Sequence, residues 1–405
     1  MSSDASPPRI RSLGAQKLAQ AQSFLAPAGL DAWLIIVRES GDRPDPALHY
    51  FLDQDFTWNS YFLVTPARSV ALVATLDSPD LVSLGLFDEV RTYREGPRAA
   101  LRGLLEELDP KRIGLNVSVH DALADGLTAG LRDGLLETLR DTPYAGRLTS
   151  ADSLVGRLRA VKLPQEQNLI RRAIEETEAM FDSVAKELRA GMTAREIAAC
   201  FHRLVDRAGA KTSWPRRHCP TVSVGAAAAM GHVSPGEERV THGCVVHVDF
   251  GIARGGYCSD LQRLWYVTRK GTREAPEAVR AAYAAVVEAI ELGARALRPG
   301  AVGWEVDNAA RSHLVARGYP EYAHALGHHL GRAVHDGGGV LGPRWERYGN
   351  EPFQKVEEGH VYTLEPSLHL PEHGVISLEE DVVVRADGVE YLSRFPRTLP
   401  LLAVE

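Results

Sequence analysis

The sequence predicts an α+β protein with a smaller N-terminal α/β domain and a larger C-terminal domain built from a duplicated unit. Residues before about 155 alternate between helical and strand patterns, as α/β domains do. The remainder repeats a layout of two helices followed by a strand hairpin. A chain of 405 residues is long enough for two domains of ordinary size.

Composition favours a globular protein with a sizeable hydrophobic core and argues against nucleic-acid and membrane partners. Hydrophobic residues make up 44% and charged residues 24% of the chain. A formal net charge of −7 and a pI near 6.1 argue against a nucleic-acid-binding surface. No apolar run reaches the roughly 18 residues of a membrane span, and the first residues lack the apolar core of a secretory signal. Cysteines at 200, 219, 244 and 258 show no zinc-ribbon spacing. We therefore expect buried free thiols in a reducing, cytoplasmic environment.

The N-terminal domain is predicted to span residues 1–155. Its expected elements are a helix in QKLAQAQSFLAPAG, a buried strand in AWLIIV, a hairpin in NSYFLVTPARSVALVAT, and a helix leading into a strand in LRGLLEELDPKRIGLNVSV. Catalytic residue types do not cluster here, so we expect a supporting or dimer-forming domain. Residues 141–164 resemble a linker, and the long amphipathic helix EQNLIRRAIEETEAMFDSVAKEL follows them.

The C-terminal domain, predicted over residues 156–405, contains a weak internal repeat. Residues 188–210 and 297–320 share a helix, a glycine turn, a second helix and a closing glycine. The matching pairs are Gly191 with Gly300, Glu196 with Glu305, and Gly209 with Gly318. A strand hairpin follows each unit. Aligning the hairpins at Gly243 and Gly359 pairs Asp249 with Glu365 and Asp260 with Glu379. Two acidic hairpins are therefore expected to face each other across a pseudo-twofold axis.

The first hairpin, GCVVHVDFGIARGGYCSDLQRLWYV, raises an electrostatic question. A turn at Arg254–Gly255 would place Asp249 directly opposite Asp260, and facing like charges destabilise a strand pair. Four converging carboxylates must protonate, pair with Arg or Lys, or bind cations. Carboxylates combined with one or two imidazoles suit Mn, Co, Zn or Fe. Candidate imidazoles lie in HALGHHLGRAVHDGGG (324–339) and MGHVSP (230–235).

The segments VDFG, SDLQR, GHHLGRAVHD, TLEPS and LEED, in this order, resemble the signature of the pita-bread metallopeptidases. That family includes methionine aminopeptidase, aminopeptidase P and prolidase, and the resemblance covers about residues 155–395. The separate N-terminal domain makes the chain most similar to prolidase, the Xaa-Pro dipeptidase. The resemblance implies a pita-bread catalytic domain of duplicated ααβββ type and a homodimer. It also implies hydrolysis of Xaa-Pro bonds by a hydroxide shared between two divalent metal ions, Mn first and Co or Zn as alternatives.

Carried onto this sequence, the resemblance assigns roles to individual residues. The implied metal ligands are Asp249, Asp260, His328, Glu365 and Glu379. Asp249 would chelate one metal, His328 and Glu365 would hold the second, and Asp260 and Glu379 would bridge both. Glu365 would also exchange the proton of the attacking water. His335 and His232 would stabilise the intermediate and contact the substrate. Arg332 is the favoured cation for a substrate carboxylate, ahead of Arg216, Arg217 and Arg347.

Several alternatives stay open. His329 competes with His328, and Glu380 with Glu379, for a ligand role; Glu380 and Asp381 are otherwise expected to be solvated or to lie behind the ligands. The family usually has an aromatic residue and an arginine where this chain has His369 and Ser377, which leaves the substrate open. The second candidate activity is that of an aminopeptidase P, acting on longer Xaa-Pro peptides. A third candidate is a non-catalytic binding module.

Overall fold

The computed structural model describes residues 12–226, 234–269 and 271–404. It contains two compact units, Met1–Leu158 and Arg159–Glu405. Helices and sheets occur in both units, which confirms the predicted α+β class. Among the described residues, no helix is both long enough and apolar enough to cross a membrane. All four cysteines are buried free thiols, as expected.

The N-terminal unit is a six-stranded sheet with helices on both faces. Its helices are α1 (Leu13–Leu25), α2 (Ser78–Leu84), α3 (Arg98–Leu108), α4 (Ala129–Leu139) and α5 (Asp152–Ala160). Its strands are β1 (Ala32–Val37), β2 (Ser60–Val64), β3 (Ser69–Ala74), β4 (Glu89–Tyr93), β5 (Ile113–Leu115) and β6 (Leu148–Ser150), in the order β4-β3-β2-β1-β5-β6. Alternate residues of β1 enter different cores: Trp33 packs with α1 and α5, and Leu34 packs with α3 and α4. Burial on both faces explains the continuous apolar run AWLIIV.

Residues 141–164 were predicted to be a linker, and this prediction is wrong. A short 3-10 helix (Pro143–Arg147) leads into β6, which pairs with β5 in parallel, and α5 follows at once. The strand β6 is short and polar, so its place in the sheet depends on hydrogen bonds from β5 rather than on local hydrophobic pattern. The predicted helix and hairpin elements before this segment are present.

The C-terminal unit contains two helix pairs, each followed by strands. The helices are α6 (Pro164–Glu187), α7 (Ala194–Ala208), α8 (Glu277–Ala296) and α9 (Gly303–Ala316). The strands of the first half are β7 (Lys211–Thr212), β8 (Thr221–Val224), β9 (Val245–Phe250), β10 (Ile252–Arg254), β11 (Tyr257–Cys258) and β12 (Leu261–Arg269). Those after α9 are β13 (Gly327–His328), β14 (Val340–Leu341), β15 (Val361–Leu364), β16 (Ser367–Leu370), β17 (Gly374–Ser377), β18 (Glu380–Arg385), β19 (Gly388–Tyr391) and β20 (Leu401–Val404).

Each helix pair covers one hairpin with apolar side chains. On the first, Phe181 of α6 and Phe201 of α7 pack edge-on or tilted against Phe250 of β9 at ring separations of 5.9 and 4.5 Å. On the second, buried residues of α8 and α9 share one core with Ile376 and Val382 of the second hairpin. The polar ends of the hairpins are thereby fixed to a rigid support.

Equivalent backbone hydrogen bonds support the duplication read from the sequence. Gly191 donates to the carbonyl of Val240 at 2.8 Å, and its counterpart Gly300 donates to Val356 at 2.9 Å. The matched glycines 191, 300, 209, 318, 243 and 359 all have positive φ, which side chains disfavour. Glu196 and Glu305 both accept a hydrogen bond from the backbone at the start of their helix, as in a capping box. Turn and cap chemistry therefore explains why these residue types recur.

Candidate metal centre

The first acidic hairpin turns one residue later than the sequence suggested. Arg254 pairs with Tyr257, so Gly255 and Gly256 form the turn, with φ of 58° and 80°. A two-residue turn with positive φ at both positions favours consecutive glycines over Arg-Gly. Asp249 therefore lies opposite Gln262 rather than opposite Asp260. The two aspartates are diagonal neighbours on one face, and their side chains share a hydrogen bond.

The second hairpin brings its two glutamates directly opposite each other. Leu364 pairs with Glu380, and Ser367 pairs with Ser377. Continuing this register places Glu365 opposite Glu379, at a break between consecutive strand segments.

Backbone contacts join the two hairpins at their acidic residues. The amide of Glu379 donates to the carbonyl of Gln262 at 3.3 Å. The amide of Asp260 donates to the carboxylate of Asp381 at 3.2 Å. Both of these hydrogen bonds join the two hairpins at, or two residues from, their proposed metal ligands. They therefore bring together acids that are far apart in the sequence.

His328 enters the acidic cluster from a third segment, β13. The backbone nitrogen of His328 donates to Thr363 Oγ1 at 3.2 Å, and Glu365 N donates to the carbonyl of Leu326 at 2.7 Å. A side chain at position 327 would collide with the carbonyl of Thr363, so glycine permits this close approach. These contacts fix the imidazole beside β15.

The imidazole of His328 lies within reach of three carboxylates. Its Nε2 is 3.5 Å from Glu365 Oε1, 3.7 Å from Asp260 Oδ2 and 4.0 Å from Glu379 Oε1. These separations are longer than hydrogen bonds. Two ligand atoms that are each about 2.1 Å from one ion at a tetrahedral angle lie about 3.4 Å apart. The observed spacing therefore suits a shared cation.

The donor atoms of this cluster also fit a metal on chemical grounds. Ligand atoms of Asp260, His328 and Glu379 all lie within 4.8 Å of one another. Among the described residues, buried oxygens without a hydrogen-bond partner include Asp249 Oδ1, Asp260 Oδ1 and Glu379 Oε1. Buried acceptors left unpaired are costly, and coordination to a divalent cation would satisfy them.

Burial favours the protonated form of the four carboxyl groups when no cation is present. It raises the pKa of Asp249 from 3.8 to about 7, against the effect of the hydrogen bond to Asp260. Burial first, and then repulsion by neighbouring carboxylates, raises the pKa of Asp260, Glu365 and Glu379 well above the ordinary values. The cluster therefore favours either protons or cations over free negative charge.

Glu380 and Asp381 were expected either to be solvated or to lie behind the ligands, and the solvated alternative is wrong because both side chains are fully buried. Glu380 binds Arg263 at 2.9 Å and 3.3 Å and accepts a hydrogen bond from Ser393, so its partners differ from those of Glu379. Asp381 lies behind the proposed ligands, where its carboxylate accepts the hydrogen bond from the amide of Asp260. Its place two residues after Glu379, on the same face of an extended segment, is a signal that strand periodicity offered.

The neighbouring histidines occupy distinct environments. His329 stacks on Tyr362 with ring centroids 4.0 Å apart, and burial lowers its pKa well below the ordinary value. His335 is exposed and packs perpendicular to His328 with centroids 4.4 Å apart. His247 is buried, which lowers its pKa to about 4, and its Nε2 lies 3.0 Å from Gln262. His232 lies outside the described residues.

The candidate cations for a substrate carboxylate have other contacts. The Arg332 guanidinium lies over the ring of Tyr257, 5.7 Å from its centroid. Arg216 forms an ion pair with Asp206 at 2.6 Å, and Arg347 packs on the ring of Trp345. Nothing in these contacts brings Arg216 or Arg347 to the acidic cluster.

Two buried ion clusters support the segments around His328. Arg311 forms two hydrogen bonds with Asp307, at 2.7 and 2.8 Å, and donates to two backbone carbonyls of residues 322–324. Asp307 Oδ1 accepts from the backbone of Leu326 at 3.0 Å. Asp336, next to His335, forms an ion pair with Lys162 at 2.8 Å, and both side chains are almost fully buried. Sequence patterns gave no sign of these clusters.

The duplicated fold and the buried group of carboxylates and imidazole define a metal-dependent protein. The family model described as metallopeptidase family M24 matches residues 168–386. The chain therefore belongs to this family, and it is a metallopeptidase that uses divalent metal ions.

Known relatives and solved structures agree with this assignment. The chain is 26% identical over 275 residues to the Xaa-Pro dipeptidase of Pyrococcus furiosus, covering 68% of this chain and 74% of that one. It resembles the structure of an X-Pro aminopeptidase from Thermotoga maritima with a TM-score of 0.68 and 26% identity, over 96% and 99% of the two chains. An Xaa-Pro dipeptidase structure from Bacillus anthracis shares the fold, with a TM-score of 0.74 and 23% identity over 96% and 100%. The pita-bread fold expected from the sequence is confirmed.

Proposed function

We propose that this protein hydrolyses Xaa-Pro peptide bonds and that its preferred substrates are Xaa-Pro dipeptides. The observation that carries the proposal is the convergence of Asp260, Glu365 and Glu379 on the imidazole of His328 in a chain of this family. The relative from Pyrococcus furiosus, an Xaa-Pro dipeptidase, supports the substrate class.

The proposed cofactors are two divalent ions per subunit, manganese by preference, with cobalt or zinc as substitutes. The proposed ligands are Asp249, Asp260, His328, Glu365 and Glu379. Asp249 would hold one ion, His328 and Glu365 the other, with Asp260 and Glu379 between the two. Carboxylates with a single imidazole are the ligand types that such ions prefer. When bound, the ions supply Lewis acidity and lower the pKa of water toward neutrality.

The chain's own groups then position the substrate and move protons. Glu365 accepts a proton from the attacking water and delivers it to the proline nitrogen as the C–N bond breaks. His335 and His232 donate hydrogen bonds to the substrate and to the oxyanion that develops on its carbonyl. Arg332 is the proposed partner for the C-terminal carboxylate of a dipeptide.

An aminopeptidase P activity is the second candidate. It is favoured by Ser377, which stands where the family usually has a substrate-side arginine, and by the likeness to the X-Pro aminopeptidase of Thermotoga maritima. Longer Xaa-Pro peptides do not present a carboxylate directly after proline, so they have less need of a cation there.

Release of the N-terminal alanine from Ala-Pro and from Ala-Pro-Ala tests the proposal and separates the two activities. The chelated protein should be inactive, and added Mn²⁺, Co²⁺ or Zn²⁺ should restore cleavage of Ala-Pro in preference to Ala-Pro-Ala. The Asp260→Ala variant should be inactive with any ion. Preference for Ala-Pro-Ala would support the aminopeptidase. Absence of metal-dependent cleavage, together with under half an equivalent of bound metal, would favour a binding module.

We further propose that residues 1–155 form a supporting domain and residues 156–405 the catalytic domain of a cytoplasmic homodimer. The family resemblance and the lack of clustered catalytic residue types in the first 155 residues support this organisation. Light scattering of the full chain should give a mass near twice 44.2 kDa. A monomeric mass would contradict the dimer.

A further inference from the structure

Gln262 is a buried amide held between two polar side chains and one acid of the metal centre. It lies in β12, and only 7% of its surface is exposed. Its Oε1 is 2.7 Å from Ser377 Oγ and 3.0 Å from His247 Nε2. Its Nε2 is 3.0 Å from Glu365 Oε2. All hydrogen-bonding atoms of this side chain therefore have a defined partner.

The orientation of the amide follows from what each partner can do. When a cation is bound, the carboxylate of Glu365 is ionised and only accepts hydrogen bonds, so the NH₂ group of Gln262 must face it. The carbonyl oxygen then faces Ser377 and His247, and both must donate. Ser377 does so through its hydroxyl, and His247 does so through Nε2–H. Because Ser377 and His247 both donate to the carbonyl oxygen of Gln262, its NH₂ group is held toward Glu365.

In this arrangement the two carboxylate oxygens of Glu365 contact different groups. Oε2 is engaged by the amide of Gln262, while Oε1 lies 3.5 Å from Nε2 of His328. The hydrogen bond therefore directs Oε1 toward the ion-binding side. The backbone carbonyl of Gln262 also accepts from Glu379 N, so this one residue contacts both glutamates of the second hairpin.

We propose that Gln262 is a positioning residue that, held by Ser377 and His247, orients Glu365 for metal binding and proton transfer. This inference rests on the proposed function for the proton-transfer role, but its metal-binding part stands on the cluster alone. Outer partners that orient a ligand are worth about 10- to 100-fold in metal affinity or activity. Ser377 acts through Gln262 and has a smaller effect, because the amide keeps His247 as a second donor.

The test compares Gln262→Met, Ser377→Ala and the double variant with a matched control. Gln167→Met is the control, since Gln167 is also 7% exposed and forms hydrogen bonds to Lys162 and Arg385 in the same unit. Calorimetric titration of Mn²⁺ into the metal-free full-length protein gives the affinity. Hydrolysis of Ala-Pro at saturating Mn²⁺ gives kcat and KM separately, and thermal melting reports folding.

Gln262→Met should weaken Mn²⁺ binding by about 10- to 100-fold and lower kcat, with KM changed less than about twofold. Ser377→Ala should show a smaller loss in the same direction, and the double variant should match Gln262→Met. Gln167→Met should bind Mn²⁺ within about twofold of the parent protein even if its melting temperature falls. The inference is overturned if Gln262→Met binds Mn²⁺ as the parent does, or if the two losses add.

Ser377→Ala provides the decisive comparison should Gln262→Met fail to fold. An unchanged Mn²⁺ affinity in Ser377→Ala would then refute the inference, and a several-fold loss would support it. A parent protein that binds Mn²⁺ but does not cleave Ala-Pro refutes the proposed function alone, because the affinity comparison still decides the role of Gln262.

Discussion

Removing divalent ions should destabilise the protein, and the loss should grow with pH. The metal centre gathers four carboxylates, several of whose oxygens have no hydrogen-bond partner among the described residues. A ligand that binds only the folded state stabilises it by about 2.7 kcal/mol when present at 100 times its Kd. The unit of residues 159–405 has a length for which 1 kcal/mol corresponds to about 2–4 °C in Tm. One bound ion should therefore raise Tm by about 5–11 °C.

The pH dependence of the metal-free protein follows from the raised pKa values. Burial raises the pKa of Asp249 from 3.8 to about 7, so the folded state holds this proton more tightly than the unfolded state. The stabilisation is complete below about pH 4 and is lost as pH rises through 7. Between pH 5.5 and 7, Asp249 alone should cost the metal-free protein about 2 kcal/mol. Asp260, Glu365 and Glu379 shift in the same direction.

Ions and protons compete for these carboxylates, so the metal-induced rise in Tm should be larger at pH 7.5 than at pH 5.5. Differential scanning fluorimetry with EDTA or with Mn²⁺ measures both effects. Asp260→Asn is the variant for comparison. Removing one negative charge should raise the Tm of the metal-free protein at pH 7.5 and reduce the response to Mn²⁺. A metal response that is equal at the two pH values, or a metal-free protein that is more stable at pH 7.5, would show that ions and protons do not compete for these carboxylates.

Three substitutions test the supports of the site. Asp307→Asn removes the buried charge partner of Arg311 and leaves the longer ion pair to the exposed Glu321, so it should cost about 3 kcal/mol in urea unfolding; a loss below about 0.5 kcal/mol would show that the pair is dispensable. Lys162→Met removes a buried partner of Asp336 and should cost a similar amount, with an unchanged urea midpoint as the contradictory result. Gly327→Ala forces a methyl group against a backbone carbonyl and should displace His328; calorimetry should show at least about tenfold weaker Mn²⁺ binding, and unaltered binding would contradict this.

The order of elements and the convergence of the acids were accessible from sequence because both rest on local rules. Matched glycines with positive φ and matched capping glutamates marked the repeat, and the repeat in turn aligned Asp249 with Glu365. The turn of the first hairpin was misplaced by one residue because either Arg254 or Gly256 can flank Gly255 in a sequence pattern. Only the backbone φ values distinguish the two.

The environment of the site depended on long-range contacts that sequence patterns do not encode. The sequence left open whether Glu380 is solvated or lies behind the ligands, and only the pairing with Arg263 of the other hairpin in the core decides it. Gln262 and Ser377 are 115 positions apart, and neither residue type signals a role at a metal centre. Their function becomes visible only when the two hairpins are brought together.

We expect the two acidic hairpins and His328 to hold divalent ions. An anomalous difference map from crystals of the Mn²⁺-loaded protein tests this expectation most directly. Manganese peaks are expected inside the cluster, about 2.0–2.3 Å from His328 Nε2 and from oxygens of Asp249, Asp260, Glu365 and Glu379. A well-ordered cluster without manganese, in crystals grown at saturating Mn²⁺ and neutral pH, would show that these residues do not form a metal site.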